Sequence, residues 1–192
     1  LVMEYLSGEK KIVFVGLNPV KEANEAHAVF CIRNTFWKIL EKARIIEGYP
    51  YNLIECANEI FNTDKFTSHK LGYADLVPEC DFKKSSKVRI LPHHVKDLLQ
   101  KIKSSNADKI VFLGHKVAAA FVKELKIKES WDSFKRMEYN YISVKGKNRV
   151  CINYGFFAKY EYSDKEFELY VMPFPETSPI PNKHIFYRRI IE

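Results

Sequence analysis

The chain has 192 residues, 46% hydrophobic and 29% charged, long enough for one well-buried core and ordinary for a globular protein. No apolar run approaches the ~18 residues of a membrane span, and residues 1–10 lack a signal-peptide core; the expectation is an intracellular protein with no membrane partner, cytoplasmic in a prokaryote or nuclear in a eukaryote. The formal net charge of +7, with a pI near 9.1, suits an anionic partner such as nucleic acid without requiring one.

In chain order, the first element is the apolar run Ile12, Val13, Phe14 and Val15, which leads into Gly16, Leu17, Asn18 and Pro19. A short β-branched run bounded by Gly and Pro reads as a buried strand, and in open α/β sheets the carboxyl end of such a strand is where ligands bind. Gly16 there lets a ligand approach the backbone, Asn18 offers one acceptor and two donors without charge, and Pro19 stiffens the chain beyond it. The alternative is an ordinary turn, since Asn-Pro is a common turn dipeptide.

A polar loop is expected over 21–28, then a helix over 35–45 with Asn34 as its N-cap and Gly48 closing it. Phe36 and Trp37 read as core by their helical spacing. A second helical pattern covers 53–61, and 71–77 is a short apolar segment ending at Pro78. Pro92 opens a helix through 103, with Val95, Leu98, Leu99 and Ile102 on its apolar face; His93 and His94 read as surface or capping residues. Residues 108–126 repeat the opening theme, strand then Gly114 then helix, which is a βα unit. Over 139–170 alternating aromatic and charged residues suggest a hairpin, with its turn at Ser163, Asp164 and Lys165. A last core strand at 169–172 runs into the proline-rich stretch 173–182, and a terminal helix is expected over 182–191.

Cys31, Cys56, Cys80 and Cys151 form no C-x-x-C pair, so neither a zinc site nor a redox dithiol is encouraged, and no cofactor is called for. Neither G-x-G-x-x-G, G-x-x-x-x-G-K-[ST] nor G-x-S-x-G occurs, which counts against a nucleotide-binding enzyme or another α/β hydrolase.

Taken together, Gly16 to Pro19, the run Asn34-Thr35-Phe36-Trp37-Lys38, Gly72 to Val77, Leu113-Gly114 and Met172-Pro173 resemble the uracil-DNA glycosylase superfamily, especially its mismatch-specific uracil/thymine-DNA glycosylase branch. The resemblance runs from about Lys11 to Asn182. Val20 departs from that branch, which usually has Gly there, and Phe174 stands where an Asn often follows the Pro. Residues 175–179 look more like the Pro-Ser-Thr-Ser-Pro loop of the hypoxanthine-DNA glycosylases. The four-cysteine iron–sulfur branches need a close cysteine pair that is missing. The fold expected is α/β: a single domain over 1–192, three-layer α-β-α, with a central, mostly parallel four-stranded sheet plus an added β-hairpin.

The resemblance implies a monofunctional DNA glycosylase acting on uracil, thymine opposite guanine, or hypoxanthine. Its partner would be damaged or mismatched duplex DNA, with single-stranded DNA also open, and it would act as a monomer. Such an enzyme extrudes the nucleotide into a pocket, and it needs a placed water and aimed donors rather than a strong nucleophile. Asn18 would hold the water, while backbone near Gly16 and Leu17 would face the base. Phe30 is either the stacking platform or a core aromatic under a loop. Thr177 and Ser178 face the base or serve as turn and cap residues. Pro179, Ile180, Lys183, His184, Arg188 and Arg189 are the DNA-binding candidates. Ile180 is an apolar wedge unless it is buried, and the two arginines are phosphate contacts or solvated ends. The rival is a non-catalytic nucleic-acid-binding protein on the same fold.

Overall fold

A computed structural model describes residues 4–136, 140–144, 147–151 and 154–192, with the two segments between 140 and 151 described by their backbone. The strands are β1 (Glu4–Tyr5), β2 (Ile12–Gly16), β3 (Leu71–Asp75), β4 (Lys109–Leu113), β5 (Asn140–Val144), β6 (Lys147–Cys151), β7 (Gly155–Tyr162) and β8 (Lys165–Met172). The helices are α1 (Lys21–Ala26), α2 (Thr35–Lys42), α3 (Leu53–Asn62), α4 (Pro92–Ser104), α5 (His115–Glu124), α6 (Lys128–Arg136) and α7 (Lys183–Arg188). Six strands form one sheet in the order β1-β3-β2-β4-β8-β7. The central β3, β2, β4 and β8 run parallel, and β1 and β7 add antiparallel edges.

The two-residue period of the strands divides the core. Val13, Val15, Ile110, Phe112, Leu169 and Val171 face one layer, where Val95, Leu98 and Leu99 of α4, Phe121 of α5 and Trp131 of α6 cover them. Ile12, Phe14, Val111, Leu113, Tyr170 and Met172 face the other, against Phe36 and Trp37 of α2, Ile60 and Phe61 of α3 and Tyr187 of α7. Strands apolar on both sides need helices on both sides, which makes the three-layer α-β-α arrangement.

Local chemistry explains three of the helix starts. The Asn52 side chain accepts from Ile54 N–H at 3.1 Å to cap α3. Pro92 opens α4, where His94 Nδ1 accepts from Leu91 N–H at 2.9 Å, so His94 is a capping residue, although a buried one. Gly114, at φ 101, turns β4 directly into α5.

Several expectations change. Residues 21–26 form α1 instead of a polar loop. Asn34 holds the N-cap position of α2 but its amide donates to Tyr49 Oη at 3.4 Å, and α2 stops at Lys42, short of Gly48. Helix α6, packed through Trp131 and Phe134, interrupts the region after α5. The hairpin turns where expected, with Ser163 at φ 60, yet its second strand is the last core strand itself, so β7 is an edge of the main sheet. Helix α7 covers only Lys183–Arg188. Residues 139–153 of the expected hairpin region contribute the separate pair β5-β6; residues 139, 145, 146, 152 and 153 lie outside the described residues. No helix of the described residues is long and apolar enough to cross a membrane.

Candidate active site

Parallel β2 connects to β3 on one side and β4 lies on its other side, so the sheet's connections part between β2 and β4. At the carboxyl ends of such neighbours the loops separate and leave a crevice. A cavity of about 370 Å³ occupies that place, between the loop 16–20 after β2 and the turn 113–117 after β4. Phe30 and Thr177 close two further sides.

Asn18 is pinned by its amide nitrogen. Nδ2 donates toward the carbonyls of Pro19 at 2.8 Å, Phe82 at 3.0 Å and Cys80 at 3.3 Å. An amide NH2 has two hydrogens, so these carbonyls share them and fix which end of the side chain is nitrogen. None of the described bonds uses Oδ1, which stays available as an acceptor.

Gly16 is small for a different reason than ligand approach. A Cβ there would lie 2.2 Å from Tyr73 Oη and 2.6 Å from Asp75 Oδ1. Tyr73 donates to Asp75 Oδ1 at 2.7 Å, and Asp75 Oδ2 is buried with no partner among the described residues. Asp75 is only 3% exposed. Burial raises its carboxyl to about 7, against the opposing Tyr73 hydrogen bond. It lines the cavity, and reading the sequence does not single it out. A charged residue ending an apolar strand at the carboxyl edge was the available signal.

Phe30 lines the cavity with φ 51, inside a nest of aromatics. Its ring stacks on Phe36 with centroids 4.0 Å apart and meets Trp37 and Tyr73 edge-on at 5.9 and 5.4 Å. Trp37 Nε1 donates to the Phe30 carbonyl at 3.1 Å, which holds the strained residue in place. Phe36 and Trp37 are core, as their spacing indicated. His115 also lines the cavity; burial lowers its pKa, helped by Lys135, and its buried Nδ1 has no described partner.

The late loop divides. Phe174, Glu176 and Thr177 line the cavity, whereas Ser178 and Pro179 stand outside that lining. Ile180 is not a presented wedge: it is 8% exposed and belongs to the core on the α4–α5 side. Lys183 Nζ donates to the Pro175 carbonyl, and burial lowers its pKa. His184 is half-buried. Arg188 donates to the Lys42 carbonyl at 3.3 Å. Arg189 donates to the Tyr154 carbonyl and lies 5.1 Å from the Phe186 ring centroid, so the two arginines are not merely solvated ends. Both tie α7 to the fold.

Outside the cavity, Glu79, His93 and His94 bring ligand-type atoms within 4.8 Å of one another. His94 Nδ1 accepts a backbone proton, so Nε2 carries the ring proton and donates to Glu79. That tautomer is the wrong one for a metal at Nε2. Cys31, Cys56 and Cys80 are free thiols, and the Cys151 side chain lies outside the described residues.

The family model described as Uracil DNA glycosylase superfamily matches residues 3–186. The chain belongs to that superfamily. Superfamily members are DNA glycosylases, hydrolases of N-glycosyl bonds that act on DNA. No curated protein matches the chain. For a glycosylase of this superfamily the cavity has suitable parts: an oriented amide oxygen, a carboxyl that titrates near neutrality, and an aromatic ring anchored from behind.

Proposed function

We propose that this protein is a monofunctional DNA glycosylase, a single domain acting as a monomer. It takes a deaminated or mismatched base (uracil, thymine opposite guanine, or hypoxanthine) out of the duplex and hydrolyses its N-glycosidic bond. One observation carries the reading: Asn18, Phe30 and Thr177, distant in sequence, line one cavity at the carboxyl edge of a superfamily sheet.

In this reading the flipped base lies against Phe30, with Thr177 at its rim. Breaking the bond builds positive charge on the sugar and negative charge on the departing base. Asn18 Oδ1 accepts a hydrogen bond from the attacking water, and its anchored Nδ2 keeps that oxygen oriented. Asp75, when ionised, provides a base for the water's proton and favours the cationic sugar. Backbone near Gly16 and Leu17 faces the base. The water oxygen bonds to the sugar carbon as the glycosidic bond breaks, and the base leaves with the bonding pair. The Asn18 motif supplies no amine nucleophile, so the strand is left uncut.

The test is base release from duplexes and single strands carrying uracil, thymine opposite guanine, or hypoxanthine, read as alkali-sensitive abasic sites. Wild-type protein inert on all of them would defeat the proposal. Salt-sensitive DNA binding without base release would identify a non-catalytic binder on this fold.

A further inference from the structure

A group that leaves the helix vacates its place in the stack, and proteins that stabilise such a state commonly insert an apolar side chain there. The late loop has no side chain suited to this task. Ile180 is core, Phe174 is partly buried and packs against the core on the α2–α3 side, Glu176 would repel phosphates, and Pro179 is exposed but stands apart from the cavity lining.

The loop between β3 and α4 is different. Phe82 is 49% exposed and lines the cavity, in a run where Lys84, Lys87 and Arg89 are exposed and Lys83 is paired with Glu22. Isolated exposed apolar residues are ordinary, but this one stands at the mouth of a base-sized cavity amid cations matched to phosphates. The loop is also built rather than loose. Lys116 Nζ donates to the carbonyls of Ser85 and Val88, the latter at 2.9 Å, and Glu79 is tied to His94. A platform already held in place loses little freedom on binding.

We propose that Phe82 is the side chain that enters the base stack of duplex DNA when a nucleotide moves into the cavity. The inference rests on the glycosylase reading above. It also joins two events: the Phe82 carbonyl accepts from Asn18 Nδ2 at 3.0 Å, so the residue that meets the stack also holds the amide at the cavity. Substituting the side chain leaves that carbonyl in place, which makes the wedge role separable from the positioning of Asn18.

The experiment compares Phe82→Ala, Phe82→Trp and Ile54→Ala with wild type in single-turnover base release from duplex and single-stranded substrates, with melting temperatures recorded. Ile54 is a comparably exposed apolar residue, 53%, outside the cavity lining. Phe82→Ala is expected to slow duplex excision on the order of ten- to a hundred-fold, as loss of one base–aromatic stack does. Single-strand excision should stay within about two-fold. Phe82→Trp should restore the duplex rate, and Ile54→Ala should match wild type on both substrates. Unstacking reported by 2-aminopurine beside the lesion should fall in Phe82→Ala alone. Equal losses on duplex and single strand, or an unchanged duplex rate, would overturn the proposal. Wild-type protein inert on every substrate would instead overturn the glycosylase reading itself.

Discussion

Gly16 and Asp75 are fitted to each other: a methyl group on Gly16 would come within 2.6 Å of the Asp75 carboxyl oxygen and closer still to the Tyr73 hydroxyl that donates to it. The glycine ending β2 therefore makes room for a buried acid ending β3. That acid is held beside the loop that carries Asn18.

Gly16→Ala should consequently displace the Tyr73–Asp75 pair. Overpacking of this kind typically costs ~1–3 kcal/mol. A lowered melting temperature together with reduced base release is expected. Wild-type stability in the variant would show that the pair shifts freely.

Asp75 makes stability depend on pH in a defined direction. Its carboxyl titrates at about 7 in the folded chain against 3.8 ordinarily, so the folded state binds more protons between those values. Stability on this account is highest below the lower value and is lost as pH rises through the upper one, by roughly 4 kcal/mol in full. Asp75→Asn cannot ionise, so its melting temperature should gain on wild type as pH rises from 5 to about 7 and level off above that. The rising limb of base release near pH 7 should disappear in the variant. A stability difference constant with pH would contradict this picture.

Asn18→Ala should fold and bind duplex while turnover falls by about two to three decades, as expected for one preorganised group acting mainly in the transition state. Asn18→Asp should lose turnover as well, because a carboxylate cannot donate to the Pro19, Cys80 and Phe82 carbonyls that hold Nδ2, and the side chain would turn away from them. An undiminished rate in Asn18→Ala would remove Asn18 from the chemistry and leave the activity standing.

Ile180→Ala should behave as a core truncation. The cavity created costs roughly 2–5 kcal/mol, seen as a lower melting temperature with equal proportional effects on duplex and single-strand excision. A selective duplex defect without destabilisation would return Ile180 to the DNA surface.

Binding should weaken with salt, with a slope of roughly 0.9 per phosphate neutralised. Lys84→Gln with Lys87→Gln should lower that slope, whereas Arg189→Ala should chiefly lower the melting temperature, because Arg189 is tied to the Tyr154 carbonyl. An unchanged slope in the lysine variant would place the β3–α4 loop away from DNA.

The apolar runs at 12–15, 110–113 and 169–172 are strands because a chain of β-branched and aromatic residues ending at Gly or Pro admits little else, and α3 and α4 follow from their caps and spacing. The turn at Ser163 was equally local. The α/β class and the placing of Asn18 at a carboxyl edge come from such signals. Helix α6 was missed because it has few apolar residues among many charges, and Trp131 and Phe134 acquire their meaning only from Phe157 of β7.

What tertiary structure decided was which side chains share a space. Ile180 and Phe82 are both apolar residues in loops beside the cavity, and nothing in their local sequence says that one is buried and the other exposed. Burial is a property of what packs on a residue from elsewhere in the chain. Asp75 likewise becomes a group poised near neutrality only once Gly16 and Tyr73 close around it, because desolvation depends on neighbours brought from another strand. The amino-acid order alone determined the core strands at 12–15, 110–113 and 169–172, most of the helices and the edge where the loops converge; the packing of those loops chose the residues that face the cavity.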